Sequence, residues 1–389
     1  MEKQVKFTLR GETNSFIEKK EWMRFSQSNA RVCYSEKDWE ELMFEGLDER
    51  LIDRIKNSGH HSVCEHINFT LYFSKIPKIL AMFLNNEKQY ATSEKSARYT
   101  VMKDIEPKQK EKYDKWMNVF REEISKKYPE SEFPKLYIKD GSGKNPVEKL
   151  SQENARYMTS VFTPTKMSHT INLRQINFLR GEFEKFVDEY SNGKNEFKKR
   201  LCASMKDFLE ETERFDIPNL RNQTDRHLSL LNPRIVEEHF GDVYSTQYNM
   251  SFAGLAQAQR HRTINYHISN DIKKGGNPYG FFIPKIISQN PRLLLDWDKD
   301  LEEISKEDYP QAQLVRVNER GTIENFRSKC LLRICGAAQN EIMNNTKEIA
   351  EKYSQYKKEY KNSLSPKCKQ GMKCPSPCVW GEKALERLV

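Results

Sequence analysis

The chain is organised around Gln257-Ala-Gln-Arg260-His261-Arg262-Thr-Ile-Asn-Tyr-His-Ile268. This stretch follows the small, mostly apolar run Ser251-Phe-Ala-Gly-Leu-Ala256, which predicts a buried helix. Two guanidiniums flank an imidazole here, and the guanidinium presents a planar fork of donors that matches phosphate. The stretch therefore predicts an anion site, although a bare R-H-R is more often only a solvated basic helix end.

The whole composition is that of a highly charged protein that can still build a core. Charged residues make up 31% of the 389 residues and hydrophobic residues 37%, and the formal net charge is +9. A positive balance favours anionic partners such as nucleotides and acidic cofactors. The basic residues are dispersed along the chain, so nucleic acid is not the expected partner.

The sequence shows no membrane-spanning run and no signal-peptide core, which predicts a cytoplasmic protein. No apolar run is long enough to span a bilayer, and the first residues lack the apolar core of a signal peptide. The eight cysteines are therefore expected to be free thiols. Cys368, Cys374 and Cys378 do not form the paired C-x-x-C motifs of a zinc site, so no metal site is predicted.

Local patterns predict several elements. Alternation over Ile67–Phe73 predicts a strand, and apolar residues at helical spacing over Ile76–Leu84 predict a helix. Ala30–Tyr34 is expected to be extended. The segment Lys108–Lys127 is rich in Lys and Glu, which predicts an exposed amphipathic helix.

The order of patterns repeats along the chain. An apolar helix, a polar motif, an acidic helix, a strand and an arginine-bearing helix occur in each half. We interpret residues 1–215 and 216–389 as two diverged tandem copies of one α/β (α+β) unit. Two copies are too few for a solenoid, so the expected arrangement is a fused dimer with pseudo-twofold symmetry.

Together, two segments resemble the flavin-dependent thymidylate synthase family, whose signature is R-H-R-x-x-S-x-N-E-x-S-x-R. The second half carries the front of the signature as Arg260-His261-Arg262, with Gln257 three residues ahead. The first half carries the back within Ser93-Glu94-Lys-Ser96-Ala-Arg98-Tyr99. Each half lacks what the other keeps, and Asn86-Glu87-Lys88 stands at the first-half R-H-R position.

Other segments carry the same resemblance. Ala30-Arg-Val-Cys33-Tyr34 is similar to the family's A-R-V-S-Y, and Ser62-Val-Cys-Glu65-His66 to its S-x-x-E-H. Ala155-Arg156-Tyr157 resembles the phosphate-arginine segment, and Asn172-Leu-Arg174 the N-A-R flavin contact. The stretch from Leu332-Arg333 to Ile342 resembles L-R-x-x-x-x-A-Q-W-E-I.

The resemblance implies a diverged, tandem-duplicated enzyme that methylates C5 of dUMP. FAD would be the cofactor, with NADPH and methylenetetrahydrofolate as co-substrates and active sites between subunits. Carried over residue by residue, it implies catalysis by Arg333. It implies substrate binding by Gln257, Arg260, Glu94, Ser96, Arg98 and Arg156, and cofactor binding by Arg260, His261, Arg262, Asn172, Arg174 and His66.

Two other functions stay open at this point. One is flavin- and folate-dependent methylation or hydroxymethylation of another pyrimidine nucleotide. The other is a non-catalytic descendant that binds nucleotide or nucleic acid. The split signature also predicts a homodimer equivalent to a tetramer, with one complete site per chain. We further expect Arg98→Ala to weaken nucleotide binding while leaving the fold intact.

Overall fold

The computed structural model describes residues 3–12, 18–100, 102, 104–221, 226–233, 237–374 and 378–389. The chain forms two compact units, each built from two separate stretches. Unit 1 comprises Met1–Lys95 and Pro164–Leu228, and unit 2 comprises Ser96–Thr163 and Ser229–Val389.

The described residues form helices and two antiparallel sheets, which is the α+β form of the predicted fold class. The strands are β1 Lys6–Glu12, β2 Asn68–Pro77, β3 Tyr90–Glu94, β4 Pro164–Asn172, β5 Val243–Ser251, β6 Asn265–Ile268 and β7 Leu314–Thr322. The helices are α1 Lys19–Arg31, α2 Trp39–Phe44, α3 Glu49–Asn57, α4 Lys78–Leu84, α5 Pro107–Lys127, α6 Pro146–Ala155, α7 Leu173–Tyr190, α8 Glu196–Glu211, α9 Phe252–Ala258, α10 Lys285–Ser288, α11 Pro291–Glu307, α12 Ile323–Arg333, α13 Asn340–Tyr356 and α14 Tyr360–Ser363.

Unit 1 contains a four-stranded antiparallel sheet in the order β1-β2-β4-β3. In β2, Phe69, Leu71 and Phe73 are buried and alternate with less buried residues, as expected for a strand with one face on a core. Trp22 of α1 meets Phe69 with ring centroids 5.1 Å apart. The predicted strand at Ile67–Phe73 and the predicted helix at Ile76–Leu84 are thus confirmed as β2 and α4, with shifted ends.

Unit 2 contains a three-stranded antiparallel sheet in the order β5-β7-β6. Part of its core lies between α5 and α11, where the rings of Trp116 and Phe120 lie 4.7 Å and 5.6 Å from the Trp297 ring, measured between centroids. The indole N–H of Trp116 donates to Asp300 at 2.9 Å, which satisfies a buried donor.

Two local predictions need correction. Lys108–Lys127 is helical as predicted, but α5 is not merely exposed, because Trp116, Phe120 and Ile124 form a buried stripe four residues apart. The Lys- and Glu-rich composition concealed that stripe. Ala30–Tyr34 is not extended: α1 continues to Arg31, and Tyr34 closes a turn by donating its N–H to the Arg31 carbonyl at 2.9 Å.

The element order in the two halves is compatible with tandem copies. In the first half, β2-α4-β3 is followed later by β4-α7-α8, and in the second half β5-α9-β6 is followed by β7-α12-α13. The compact units interleave along the chain, since Ser96–Thr163 belongs to unit 2. The repeat, with its boundary at residue 215, stays a prediction.

A buried histidine in unit 1 should make the protein acid-sensitive. His169 of β4 is 1% exposed, stacks on Tyr90 at 5.1 Å, and has no hydrogen-bond partner at either ring nitrogen among the described residues. Burial lowers its pKa to about 3. The unfolded chain, with an ordinary histidine pKa of about 6.5, binds the proton first, so stability falls as pH drops from about 6.5 towards 3.

We therefore expect His169→Phe to flatten the acid side of the stability profile. Between pH 7.5 and 5, the variant should lose about 2 kcal/mol less free energy of unfolding than the parent protein, at about 1.4 kcal/mol per pH unit. Urea unfolding at the two pH values measures this. His60→Phe, at an exposed position, is the control, and an equal effect of both variants would contradict the assignment.

Candidate functional site

The residues singled out from sequence are divided between the two units. Unit 1 holds His66, Glu94, Asn172 and Arg174. Unit 2 holds Ser96, Arg98, Arg156, Gln257, Arg260, His261, Arg262 and Arg333. Unit 2 thus contains parts of both halves of the divided signature, in a single chain.

The R-H-R stretch forms the turn between α9 and β6. Ser251 begins α9 as its N-cap, with its hydroxyl accepting from the N–H of Gly254 at 3.0 Å. A Cβ on Gly254 would lie 2.7 Å from the Glu341 carboxylate, so only glycine fits there. The helix ends at Ala258, whose carbonyl accepts from the N–H of His261 at 2.9 Å. This leaves His261 buried and the flanking Arg260 and Arg262 exposed.

His261 is joined to the last residue of α12. The Nε–H of Arg333 donates to Nε2 of His261 at 2.8 Å. Burial, followed by the charges of Arg333 and Lys329, lowers the pKa of His261 to about 3. The imidazole is therefore neutral at neutral pH and acts as an acceptor that orients Arg333, so it adds no charge to the anion site expected from R-H-R.

Arg98 forms a buried ion pair. Its Nε donates to Oε2 of Glu153 in α6, and its Nη2 donates to the carbonyl of Ala337 at 2.8 Å. Burial opposes the charge of Arg98, but Glu153 outweighs it and leaves the pKa of Arg98 raised. Glu153 is 2% exposed, so removal of Arg98 would strand a buried carboxylate. The expectation that Arg98→Ala leaves the fold intact is therefore revised.

Arg156 begins a second hydrogen-bonded chain in unit 2. Its Nη2 donates to Oε1 of Gln339, and the Gln339 amide donates to the Tyr157 hydroxyl. Tyr157 in turn donates to Glu341 at 2.7 Å, and Glu341 accepts from the Ser251 N–H at 2.7 Å. Because Ser251 is the N-cap of α9, this chain ties Arg156 to the helix that carries the R-H-R turn.

The charges of these arginines act on one another. Burial, together with the charges of Arg98 and Arg260, lowers the pKa of Arg333 to about 10. Burial also lowers the pKa of Arg156. Mutually repelling guanidiniums in a partly desolvated region are stabilised by an anion that binds among them.

Three buried polar atoms of unit 2 are available to bind a ligand. Among the described residues, Nε of Arg156 and Oε1 of Glu153 are buried without a hydrogen-bond partner, as is Oε1 of Gln257. Buried polar atoms in folded proteins nearly always have a partner. Two acceptors and one donor among cationic side chains suit a ligand that combines an anionic group with polar N–H or O–H groups.

The remaining predicted residues lie in unit 1. Asn172 is the N-cap of α7, with its Oδ1 accepting from the Gln175 N–H at 2.7 Å. Arg174 pairs with Glu65 at 2.6 Å, and both side chains are about 40% exposed. His66 ends the short helical turn His61–His66. Glu94, at the end of β3, accepts from Lys78 and Asn85, which engages both of its carboxylate oxygens.

Unit 1 also contains a cavity of about 890 Å³. It is lined by the segment that resembles A-R-V-S-Y, including Arg31 and Cys33, and by Ser62 at the start of the S-x-x-E-H segment. Arg50 and Arg54 of α3 add positive charge to the lining. Its volume is within the range of ordinary ligand sites.

The turn that replaces R-H-R in the first half is covered by a side chain of unit 1. Arg226 lies 3.8 Å over the Phe178 ring and donates to the Lys88 carbonyl at 2.9 Å. Burial lowers the pKa of Lys88 to about 8. Asn86, Glu87 and Lys88 are thus packed against protein groups, in contrast to the exposed Arg260 and Arg262.

Four residues of the unit 2 network were missed from sequence. Gln339 and Glu341 stood in a segment already noted for its resemblance, and Glu153 precedes Arg156 by three residues, so local signals existed. Arg387 lies far along the chain from the other residues, and no sequence pattern marks it. Its carbonyl accepts from Asn340 at 2.9 Å.

Across the described ranges, no group of three or more His, Cys, Asp or Glu side chains could hold a metal ion. No helix within those ranges is long and apolar enough to cross a membrane.

The fold and the geometry of unit 2 define an α+β protein with a buried guanidinium cluster. Residues 20–181 match the family model described as thymidylate synthase complementing protein. The matched residues include Arg98, Arg156 and Arg174, and they end before the R-H-R turn.

Two curated flavin-dependent thymidylate synthases are similar in sequence. The chain is 29% identical over 165 residues to that of Clostridium tetani, covering 39% of this chain and 66% of the relative. It is 28% identical over 159 residues to that of Pyrococcus furiosus, covering 37% and 59%. The chain therefore spans less than two thirds of the length of these relatives. Residues 20–181 are therefore similar to the flavin-dependent thymidylate synthase family.

Solved structures show weaker likeness. A UMP/dUMP methylase, PolB from Streptomyces cacaoi bound with 5-Br dUMP, is 15% identical, with 46% of this chain and 76% of that chain covered and a TM-score of 0.30. Thymidylate synthase X from Helicobacter pylori with FAD and dUMP is 16% identical, with 54% and 98% covered and a TM-score of 0.29.

Proposed function

We propose that the protein is a flavin-dependent thymidylate synthase that converts dUMP to dTMP. The observation that carries the proposal is the guanidinium cluster of unit 2, in which Arg98, Arg156 and Arg333 are buried or half-buried and influence one another's charge. A nucleoside monophosphate supplies both the anion that this cluster requires and the polar base edges that suit Gln257 and Glu153.

Arg333 is the residue proposed to act on the uracil ring. Its Nε–H is held by His261, which fixes the plane of the guanidinium. A fixed cation beside a uracil carbonyl would stabilise the negative charge that develops there as C5 becomes nucleophilic. The methylene group would come from methylenetetrahydrofolate.

Unit 1 offers groups that fit FAD. The cavity of about 890 Å³ is large enough for part of a dinucleotide, and Arg50 and Arg54 in its lining suit a pyrophosphate. Arg174 is paired with Glu65 at the surface, and such a pair opens at little cost for an anionic cofactor. When bound, FAD would supply the redox chemistry, with NADPH as the reductant.

Arg333→Lys tests the proposed role in catalysis. Lysine keeps the charge but loses the planar fork and the fixed bond to His261. We expect the rate of flavin oxidation in single turnover to fall by about 100-fold, as for loss of one transition-state donor, with dUMP affinity reduced much less. Arg327→Lys, on the same helix, is the control. A wild-type rate in Arg333→Lys would remove Arg333 from the chemistry.

The assembly proposed is a cytoplasmic homodimer with one FAD and one nucleotide per chain. It rests on the contrast between the R-H-R turn in unit 2 and the corresponding first-half turn, which Arg226 covers. Flavin absorbance quantified against protein, with mass from light scattering, checks the prediction. Two tightly bound flavins per chain, or a fully active monomer, would contradict it.

Product analysis tests the reaction itself. Purified protein is incubated with dUMP, methylenetetrahydrofolate and NADPH, and the product mass is measured. Formation of dTMP supports the proposal, whereas a hydroxymethyl product or activity on another pyrimidine nucleotide would replace it with the related reaction. Colourless protein that binds nucleotide without turnover would identify a binding descendant.

A further inference from the structure

The turn Ala337–Asn340 in unit 2 is held from several sides. The carbonyl of Ala337 accepts from Arg98 at 2.8 Å, and the side chain of Gln339 accepts from Arg156. Between these contacts, the carbonyl of Ala338 accepts from Nη2 of Arg387 at 2.5 Å. The turn therefore connects the guanidiniums of Arg98 and Arg156, and Arg387 holds its centre.

Arg387 is built into the interior of unit 2. It is 3% exposed, its Nη1 donates to the carbonyl of Ala384 at 2.7 Å, and its guanidinium lies 5.7 Å from the Trp380 ring. The side-chain amide of Asn340 in turn donates to the main-chain carbonyl of Arg387 at 2.9 Å. Side chain and main chain of Arg387 thus clamp the same turn.

Among the described residues, the Arg387 guanidinium donates to the carbonyls of Ala384 and Ala338 and to the sulfur of Met343, and to no carboxylate. Its Nε has no hydrogen-bond partner among the described residues, and burial lowers its pKa to about 10. Burying a charge without a counter-ion is costly. Arg98, Arg156 and Arg387 carry three positive charges against the two carboxylates of Glu153 and Glu341, so an anion bound nearby would be stabilised.

We propose that Arg387 is a positioning residue for the phosphate of the nucleotide, acting through the turn Ala337–Asn340. It keeps Ala338 and Gln339 in place, so that Arg98 and Arg156 present their N–H groups to one phosphate. The inference rests on the proposed function, because it assumes that the unit 2 cluster binds a nucleoside monophosphate.

Calorimetric titration with dUMP and with deoxyuridine separates phosphate binding from base binding. The ratio of the two affinities measures the phosphate contribution. In Arg387→Met we expect this ratio to fall by about tenfold or more, the effect of losing one of the hydrogen bonds that Arg98 and Arg156 would donate to the phosphate, with deoxyuridine affinity unchanged. Arg387→Lys keeps the charge but loses the planar set of guanidinium donors, so it should also lower the ratio. If Arg387→Met does not fold, Arg387→Lys tests the role of Arg387.

Arg180→Met is the matched control, because Arg180 is 5% exposed and bonds to a backbone carbonyl, but it lies in unit 1. It should reduce stability and leave the affinity ratio unchanged. A wild-type ratio in folded Arg387→Met, or in Arg387→Lys, overturns the inference. If the parent protein itself binds dUMP no better than deoxyuridine, the proposed function fails, whatever Arg387 does.

Discussion

Replacement of Lys329 by methionine should lower the free energy of unfolding by about 3–5 kcal/mol, as for other broken buried ion pairs. Lys329 of α12 donates to Oε2 of Glu319 in β7 at 2.6 Å, and neither side chain has exposed surface. Tyr244 also donates to Glu319 at 2.6 Å, and Tyr248 is a further donor. Without the lysine, two neutral hydroxyls are left to stabilise a buried carboxylate.

A compensating change separates charge from packing. In Lys329→Met/Glu319→Gln, the amide can still accept from Tyr244 and no buried charge remains. The double variant should recover most of the loss, and chemical unfolding of both variants measures this coupling. Lys108→Met is the control, because Lys108 and Glu307 are paired at 2.7 Å but more than 60% exposed, and such pairs contribute about 0–1 kcal/mol. Equal losses at the two lysines would contradict the argument.

Arg98→Ala should have the second large effect, a loss of about 3–5 kcal/mol in the free energy of unfolding. The variant leaves Glu153 buried in α6 without its cation, and Oε1 of Glu153 already lacks a partner among the described residues. It also removes the donor to the Ala337 carbonyl. An activity loss in this variant alone would therefore not identify a binding residue.

Arg98→Met/Glu153→Gln removes both charges and should fold. Its dUMP affinity should then fall by about 1.5–3 kcal/mol, the range for a hydrogen bond to a charged group, which calorimetry on the folded protein measures. Arg121→Ala, at an exposed position on α5, should change stability by no more than about 0.5 kcal/mol. Unchanged dUMP affinity in the folded double variant would remove Arg98 from the phosphate site.

Sequence patterns alone predicted individual strands and helices and the resemblance to a known family. Strand β2 and helix α4 were predictable because a period of two and a helical spacing appear directly in the order of apolar residues. The resemblance to the family was recognisable because its motifs require particular side chains at short spacings. Arg98 and Arg260 stand at positions of the divided signature, and Arg333 stands in the segment that resembles L-R-x-x-x-x-A-Q-W-E-I. Composition alone did not reveal the buried face of α5, because five buried side chains are enough to anchor a helix that is otherwise charged.

Only the tertiary structure determines the protonation states and hydrogen-bond partners of the side chains in unit 2. His261 is a neutral acceptor because its environment is buried and positively charged, which the letters R-H-R do not reveal. Arg98 is bound to Glu153 and Arg387 to Ala338 across long sequence separations. Burial and distance set hydrogen bonding and pKa, and both arise only when segments far apart in sequence fold together.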